Sequence, residues 1–183
     1  MSQPRRVEPD HPPDHRPQVD PEDALLADDR VQLLAFVDAQ RAEVLALLDG
    51  LDEAQVRARL VPSATTLLGL VKHCTFVERV WFPVSLEGRS RTEVGVPEDA
   101  EASWALHDAD TIDSVRTAYL AACEESRALV ASYDLDAVVA HNRRSPLSLR
   151  WVLLHLVREL ARHAGHGDVL REQLLAQTAP SEE

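Results

Sequence analysis

The fold of this chain is decided by the stretch SLRWVLLHLVRELARHAGHGD, which runs from Ser148 to Asp168. Its apolar residues recur at helical spacing, which predicts a helix that begins near Ser145-Pro146 or at Ser148 and continues to about residue 177. Within it, Glu159, His163 and His166 follow one another at spacings of four and three residues. In a helix those spacings place three potential metal ligands on one face.

Helical rise limits which of these side chains can share one ion. His155 and His163 lie about 12 Å apart along the axis, whereas zinc ligands lie about 2.0–2.2 Å from the metal. That pair is therefore excluded. Three pairs remain open: His155 with Glu159, Glu159 with His163, and His163 with His166. Each needs a further donor from another helix, and His73, in an apolar helical stretch, is the natural candidate.

The rest of the ordered chain also has helical periodicity. The pattern predicts long helices over 25–48, 65–86 and 112–133, and a short connecting helix over 52–60. Thr66 or Ser63 suits the N-cap of the second long helix, and Pro83 is expected to end or kink that helix. Long connections are expected over 88–110 and 134–147. With no strand pattern, the sequence predicts an all-α four-helix bundle.

Composition bounds the class of protein. The 183 residues suffice for one domain, and 45% of them are apolar. The net charge of −12 argues against nucleic acid or an anionic membrane as a partner, because both need clustered basic residues. The only cysteines, Cys74 and Cys123, form no disulfide framework, which predicts a reduced, cytoplasmic protein.

The two ends of the chain differ from its middle. Residues 1–22 contain six of the eleven prolines and are predicted to form a disordered tail. Residues 178–183 are polar and are predicted to fray. The helical bundle is therefore expected to occupy 23–177.

Histidines, cysteines, tryptophans and arginines also occur outside the ligand candidates. His107 and His141 fall in predicted loops, where surface placement is expected, and Cys74 reads as a small buried residue. The three tryptophans are interpreted as core or pocket-wall residues, and Trp104 could line a substrate entrance. Solvated side chains are expected at Arg57, Arg59, Arg143 and Arg144, although an arginine near the site could bind a substrate carboxylate.

Three motifs resemble the DinB superfamily, in particular its actinobacterial branch of DinB-like proteins. They are LLGLVKH at 67–73, VERVWF at 77–82, and the stretch from Ser148 to His155 that continues into ARHAGHGDVLRE at 161–172. The resemblance covers about residues 25–176. The motif around 162–172 is its most specific part.

The resemblance implies a four-helix bundle with a long crossover and a divalent metal, zinc or nickel, at one end. The implied ligands are His73, Glu159 and His163, in the version similar to mycothiol-dependent maleylpyruvate isomerase. His166 stands where many members carry Gln, which leaves it as a fourth ligand, a neighbour of the ligands or a proton carrier. Asp168 is a second candidate for moving protons.

The resemblance also implies an activity. We expect a metal-dependent S-transferase that activates a low-molecular-weight thiol, with mycothiol as the implied thiol, for attack on a small electrophile. Two alternatives stay open: a non-catalytic, stress-associated metal-binding module, and a hydrolase with metal-bound water as nucleophile. Apolar residues left on a helix face could support a homodimer.

Overall fold

The computed structural model describes residues 19–178. Its helices are α1 (Asp29–Ala46), α2 (Glu53–Val56), α3 (Leu67–Arg79), α4 (Arg91–Val94), α5 (Ile112–Ala131) and α6 (Leu149–Thr178). A π-helical segment, Val80–Leu86, continues α3, and single 3₁₀ turns lie at Pro21–Asp23 and Glu101–Trp104. The prediction of an all-α bundle is confirmed.

The four long helices pack around one core. Helix α1 lies mainly against α6, and α3 lies mainly against α5 while also contacting α6. On α6 the buried residues recur every three or four positions, which is the spacing of one helix face: Leu149, Val152, Leu153, Leu156, Leu160 and Ala164. Burying each larger apolar side chain contributes about 1.5–3 kcal/mol, so this face drives the association of α6 with its neighbours.

Capping side chains set where the long helices begin. Asp28 accepts a hydrogen bond from the backbone N–H of Val31, and Thr66 accepts one from Gly69. The Ser148 hydroxyl accepts one from the N–H of Trp151 at 3.2 Å. The sequence offered more than one candidate N-cap for each of these helices. In the structure Thr66 caps α3 and Ser148 caps α6.

Pro83 does not end its helix. The sequence predicted that Pro83 ends or kinks the helix; the predicted end is wrong, because the chain passes through Pro83 in the π-helical segment that follows Arg79. The wider turn is closed by hydrogen bonds such as that from Glu87 N to Phe82 O, at 3.1 Å. Proline lacks an N–H and crowds the preceding turn of an α-helix, and a π segment is one way to accommodate it.

A short β-ladder was not predicted. Val138–Val139 (β1) pairs antiparallel with Leu147–Ser148 (β2), with Val138 opposite Ser148. Two residues are too few to show the alternation by which a strand is recognised. The ladder closes the base of the loop 140–146.

A network of buried charges lies between α1 and α3. The Arg41 guanidinium donates to both carboxylate oxygens of Glu78, at 2.8 Å each, and to Asp38 at 2.8 Å. Glu78 is fully buried and Arg41 is 4% exposed. Because the pairing is bidentate, each buried charge has its partner.

Two predictions concern the ends of the chain and the membrane. The predicted Pro-rich tail lies outside the described residues up to residue 18, and the predicted frayed end lies outside them from residue 179. The division into tails and bundle therefore stays a prediction. Within residues 19–178, no helix combines the length and apolarity needed to cross a membrane.

Candidate metal centre

Three of the predicted ligands meet at one point between α3 and α6. His73 comes from α3, and Glu159 and His163 come from α6 one turn apart. Each offers one ligand atom, and these atoms all lie within 4.8 Å of one another. The pair Glu159 with His163, one of the three that helical geometry left open, is the one placed beside His73.

The donor set suits a small cation. Around a tetrahedral zinc ion with bonds of about 2.1 Å, ligand atoms lie about 3.4 Å apart. The contact between His163 Nε2 and Glu159 Oε1 is already 3.4 Å. The remaining distances are at most 4.8 Å and would have to shorten by up to about 1.4 Å, so one ion fits between the three groups after small side-chain movements.

His163 carries buried nitrogen atoms without hydrogen bonds. Its side chain is 8% exposed, and among the described residues neither ring nitrogen has a hydrogen-bond partner. Nε2 meets Glu159 Oε1 only at the ion-pair distance of 3.4 Å and Nδ1 has no partner, and because buried polar atoms are nearly always paired this imidazole needs an explanation. A metal ion bound by one of these nitrogens would supply it.

Ser103 fixes the tautomer of His73. The Ser103 hydroxyl donates to the carbonyl of Ala100 at 2.6 Å, and the same oxygen lies 2.6 Å from His73 Nδ1. Because the single hydroxyl proton is used on Ala100, Nδ1 carries the proton and donates to Ser103. The Nε2 lone pair of His73 is therefore the one left for a metal.

Trp104 covers the same histidine. Its indole stacks on the His73 ring with centroids 4.0 Å apart and 13° between the planes. It also meets the His163 ring edge-on at 5.4 Å. The sequence suggested that Trp104 could line an entrance, and the structure places it directly on the ligand candidates. Together with Ser103 it shields one side of the group from water.

The electrostatics favour the protonation states that a metal needs. Burial, followed by the neighbouring His163, lowers the pKa of His73 from 6.5 to about 4, against an opposing effect of Glu159. Contact with His163 is the main cause that lowers the pKa of Glu159 to about 2. At neutral pH His73 is therefore neutral and Glu159 ionised, as metal ligands must be.

A cavity of about 550 Å³ opens onto the group, with His73 and Glu159 in its wall. Its apolar lining includes Phe76, Val80 and Trp81. The volume is in the range of small-molecule sites, and the mixture of apolar wall and few polar groups is typical of them.

The other histidines of α6 play different parts. His155 stacks on Trp151 with centroids 5.1 Å apart, and lies 3.2 Å from an Arg158 nitrogen, as expected for a packed residue. His166 is exposed, with its ring centroid 6.3 Å from that of His163. Asp168 is also exposed. His166 and Asp168 lie outside the group of three, and their roles in proton transfer stay predictions.

Cys74 belongs to the core. It is fully buried, and burial, assisted by the charge of Glu78, raises the pKa of its thiol well above the usual value. A buried, protonated thiol is neither a metal ligand nor a nucleophile, so its interpretation as a small core residue agrees with the structure.

Sequence reasoning did not find Ser103. A serine in a polar connection of about twenty residues has no local feature that sets it apart. His141 is exposed, as predicted, and yet contributes to the wall of the cavity, as do Arg143 and Arg144. Their positions depend on how the loop 140–146 folds back over α3.

Comparison with known proteins gives one family. The family model described as Mycothiol-S-transferase matches residues 32–176. The match includes His73, Glu159 and His163 as well as the connection that carries Ser103 and Trp104. No curated protein matches the chain.

Proposed function

The chain belongs to the mycothiol-S-transferase family. We propose that it joins a small thiol, through its sulfur atom, to a small electrophile with the help of a divalent metal. The family's name points to mycothiol as the thiol. The observation that carries the proposal is the group His73, Glu159 and His163, in which the buried nitrogens of His163 make no hydrogen bond, beside a cavity of about 550 Å³ whose wall includes His73 and Glu159.

Two imidazoles and one carboxylate are a ligand set typical of catalytic zinc sites, which keep a position open. A divalent metal, zinc or nickel, would supply positive charge that keeps a thiol deprotonated at neutral pH. The protein's own contribution begins with preorganisation, since Ser103 presents the lone pair of His73 Nε2 before any ligand arrives.

The cavity and Trp104 then control how the two substrates reach the ligand candidates. Trp104 closes one side of the group, so the substrates reach it through the cavity. The thiolate sulfur forms a bond to the electrophilic atom, whose leaving group departs with its electron pair. Exclusion of water by the aromatic wall protects the thiolate from protonation.

The thiol proton must reach solvent. His166 is exposed and lies next to His163, which suits it to carry that proton outward. Asp168 follows His163 by five residues, and an ideal helix turns it about 140° away. Its contribution would therefore be limited to exchange of the proton with solvent.

The test combines metal analysis with turnover. His73→Ala and His163→Ala should each abolish stoichiometric zinc or nickel, whereas His107→Ala, at an exposed histidine in a loop, should retain it. Stoichiometric metal in the first two variants would show that the site is wrong.

Turnover separates the proposal from its rivals. Metal-dependent loss of mycothiol in the presence of an electrophile supports the S-transferase. Tight metal binding without loss of thiol points to a non-catalytic module, and metal-dependent cleavage of an ester without thiol points to a hydrolase.

Dimerisation is a separate prediction. The large apolar side chains Phe36 and Leu154 are 49% and 53% exposed, and both line a shallow pocket between α1 and α6. Analytical ultracentrifugation of the wild type and of Phe36→Ser would test whether this face joins two copies.

A further inference from the structure

The wall of the cavity beside the metal-ligand candidates carries three arginines against two carboxylates, Glu98 and Glu159, a small excess of positive charge in a molecule that is acidic as a whole. The chain has 19 basic and 31 acidic residues, with a net charge of −12. Nevertheless three arginines line this one cavity, Arg91, Arg143 and Arg144. Arg143 and Arg144 are exposed, and basic side chains clustered in a cleft raise the local concentration of an anionic ligand even when the rest of the surface repels it.

The three arginines are not equivalent. Arg91 donates to the carbonyl of Pro97 at 2.6 Å and lies 3.7 Å from a Glu98 oxygen. By contrast, the guanidinium groups of Arg143 and Arg144 have no hydrogen bond or carboxylate partner among residues 19–178. Both side chains are exposed, so their N–H groups can bind an anionic ligand that enters the cavity.

Arg144 is held in place without using its hydrogen-bond donors. Its guanidinium carbon lies 5.5 Å from the ring centre of Trp81 and 5.4 Å from that of Trp151. Trp151 is in turn stacked on His155. Stacking on aromatic rings positions a guanidinium while its N–H groups stay available for a carboxylate.

The loop that carries both arginines is built before any ligand binds. Asn142 Nδ2 donates to the carbonyls of Val139 and Ser145, at 3.0 and 3.1 Å, and its Oδ1 accepts from the backbone N–H of Arg144 at 2.9 Å. Ser145 has a φ of 133°, a conformation that costs about 1–3 kcal/mol outside glycine. The loop is therefore held in one strained shape rather than left flexible.

The loop is also fastened to the helix that carries His73. The N–H of His141 donates to the carbonyl of Ser85, in the π-helical segment, at 3.2 Å. The β1–β2 ladder closes its other side. The arginine pair and the ligand candidates thus stand in a fixed relation across one cavity.

We propose that the electrophile used at this site carries a carboxylate, and that Arg144, assisted by Arg143, binds that carboxylate while the reacting carbon faces His73 and Glu159. Assigning the anion to the electrophile rests on the proposed S-transferase function, whereas the anion site itself does not. A bidentate, charge-assisted pair is the interaction that a free guanidinium offers.

Binding is tested first, without thiol and without turnover. Trp81 lines the cavity, Trp104 stacks on His73, and Trp151 contacts Arg144 and His155, two residues of the cavity wall, so tryptophan fluorescence reports occupancy. The probes are 4-nitrobenzoate and 4-nitrobenzamide, which share the nitrophenyl ring that quenches tryptophan and differ in the anionic carboxylate against a neutral amide of similar size. Wild type should bind the acid at least about tenfold more tightly than the amide, the ratio that corresponds to about 1.4 kcal/mol.

Substitution of the arginines tests which side chain causes the preference for the acid over the amide. Arg144→Gln should reduce the acid-to-amide ratio to about two or less, and Arg143→Gln should reduce it partially. Arg59→Gln, an exposed arginine that contacts only the carbonyls of Pro62 and Ser63, should leave the ratio unchanged. Equal binding of acid and amide by wild type, or a preference that survives Arg144→Gln combined with Arg143→Gln, would overturn the proposal.

Turnover is tested second, with metal-loaded protein and mycothiol. The probes are 4-chloro-3-nitrobenzoate and its amide: the thiolate sulfur bonds to the chlorine-bearing carbon, chloride leaves with the bonding pair, and the thiol proton passes to buffer. The acid should have the higher kcat/KM by about tenfold. An acid preference in binding with no turnover of either probe would refute the S-transferase and leave the anion site standing. Turnover of both probes with no preference for the acid would refute the assignment of the carboxylate to the electrophile and leave the S-transferase standing.

Discussion

Two glycines of α6, Gly165 and Gly167, flank His166, and substitution by alanine should change the stability of the protein differently at the two positions. At Gly167, an added Cβ would lie 2.3 Å from Leu47 Cδ1 and 2.7 Å from its Cδ2. At Gly165, nothing lies within 4 Å of the added atom. Leu47 is 2% exposed, so its side chain cannot move out into solvent. Gly167 is therefore a site of close approach between α6 and the end of α1, and Gly165 is its matched control.

The expected free energies follow from two effects. Replacing glycine by alanine inside a helix stabilises it by about 1 kcal/mol, and this gain applies at both positions. At Gly167 the new methyl group also overpacks the core, which costs about 1–3 kcal/mol. Gly165→Ala should therefore raise the free energy of unfolding by about 1 kcal/mol. Relative to it, Gly167→Ala should be less stable by about 1–3 kcal/mol.

Urea unfolding of the metal-free protein, with chelator present, measures both values without a contribution from bound metal. A further variant, Leu47→Ala combined with Gly167→Ala, should recover part of the loss because it removes the clashing atoms. Equal midpoints for Gly165→Ala and Gly167→Ala, at equal denaturant dependence, would refute the argument. The close packing of α6 on Leu47 would then not control stability.

Three further predictions concern the site and the core. Ser103→Ala should weaken zinc binding by about 10–100-fold, measured by competition with a chromophoric chelator, because His73 loses the partner that fixes its tautomer; unchanged affinity would contradict that role. The pKa of His73 is lowered from 6.5 to about 4 in the folded protein. As the pH falls, this histidine therefore takes up its proton in the unfolded chain before it does so in the folded protein. The free energy of unfolding of the metal-free protein should then fall by about 1.4 kcal/mol between pH 7.5 and 5.5. Urea midpoints should show that loss in wild type and a smaller one in His73→Gln. Arg41→Ala should lower the free energy of unfolding by about 3–5 kcal/mol, since it leaves the buried Glu78 carboxylate unpaired; thermal unfolding that matches wild type would show that water or another group replaces the guanidinium.

The parts of the structure that depend on local spacing could be predicted from the sequence. The position of Glu159 one turn before His163 follows from a separation of four residues, and Ser148 is a helix cap by its chemistry. Joining that pair to His73 needed the family resemblance, because helical geometry alone left three pairs open. The structure then placed the three side chains together.

The parts that depend on tertiary placement could not be predicted. Ser103 contacts His73 only because the connection 88–110 folds back against α3, and the residues next to Ser103 in the sequence give no sign of that fold. Arg144 has a role only where it meets Trp81 and Trp151. Pro83 does not end its helix for a different reason: the usual rule for proline assumes an α-helical turn, and here the turn is wider.

Helix α6 and the connection 88–110 supply different parts of the site, and this affects how such a site can diversify. Two of the three ligand candidates are held by a single helix, whereas the tautomer of the third and its aromatic cover come from a connecting segment. Connecting segments accept insertions and exchanges more readily than packed helices. Grafting a different connection onto this bundle is therefore a route to new substrate ranges in which the geometry of Glu159 and His163 is inherited unchanged.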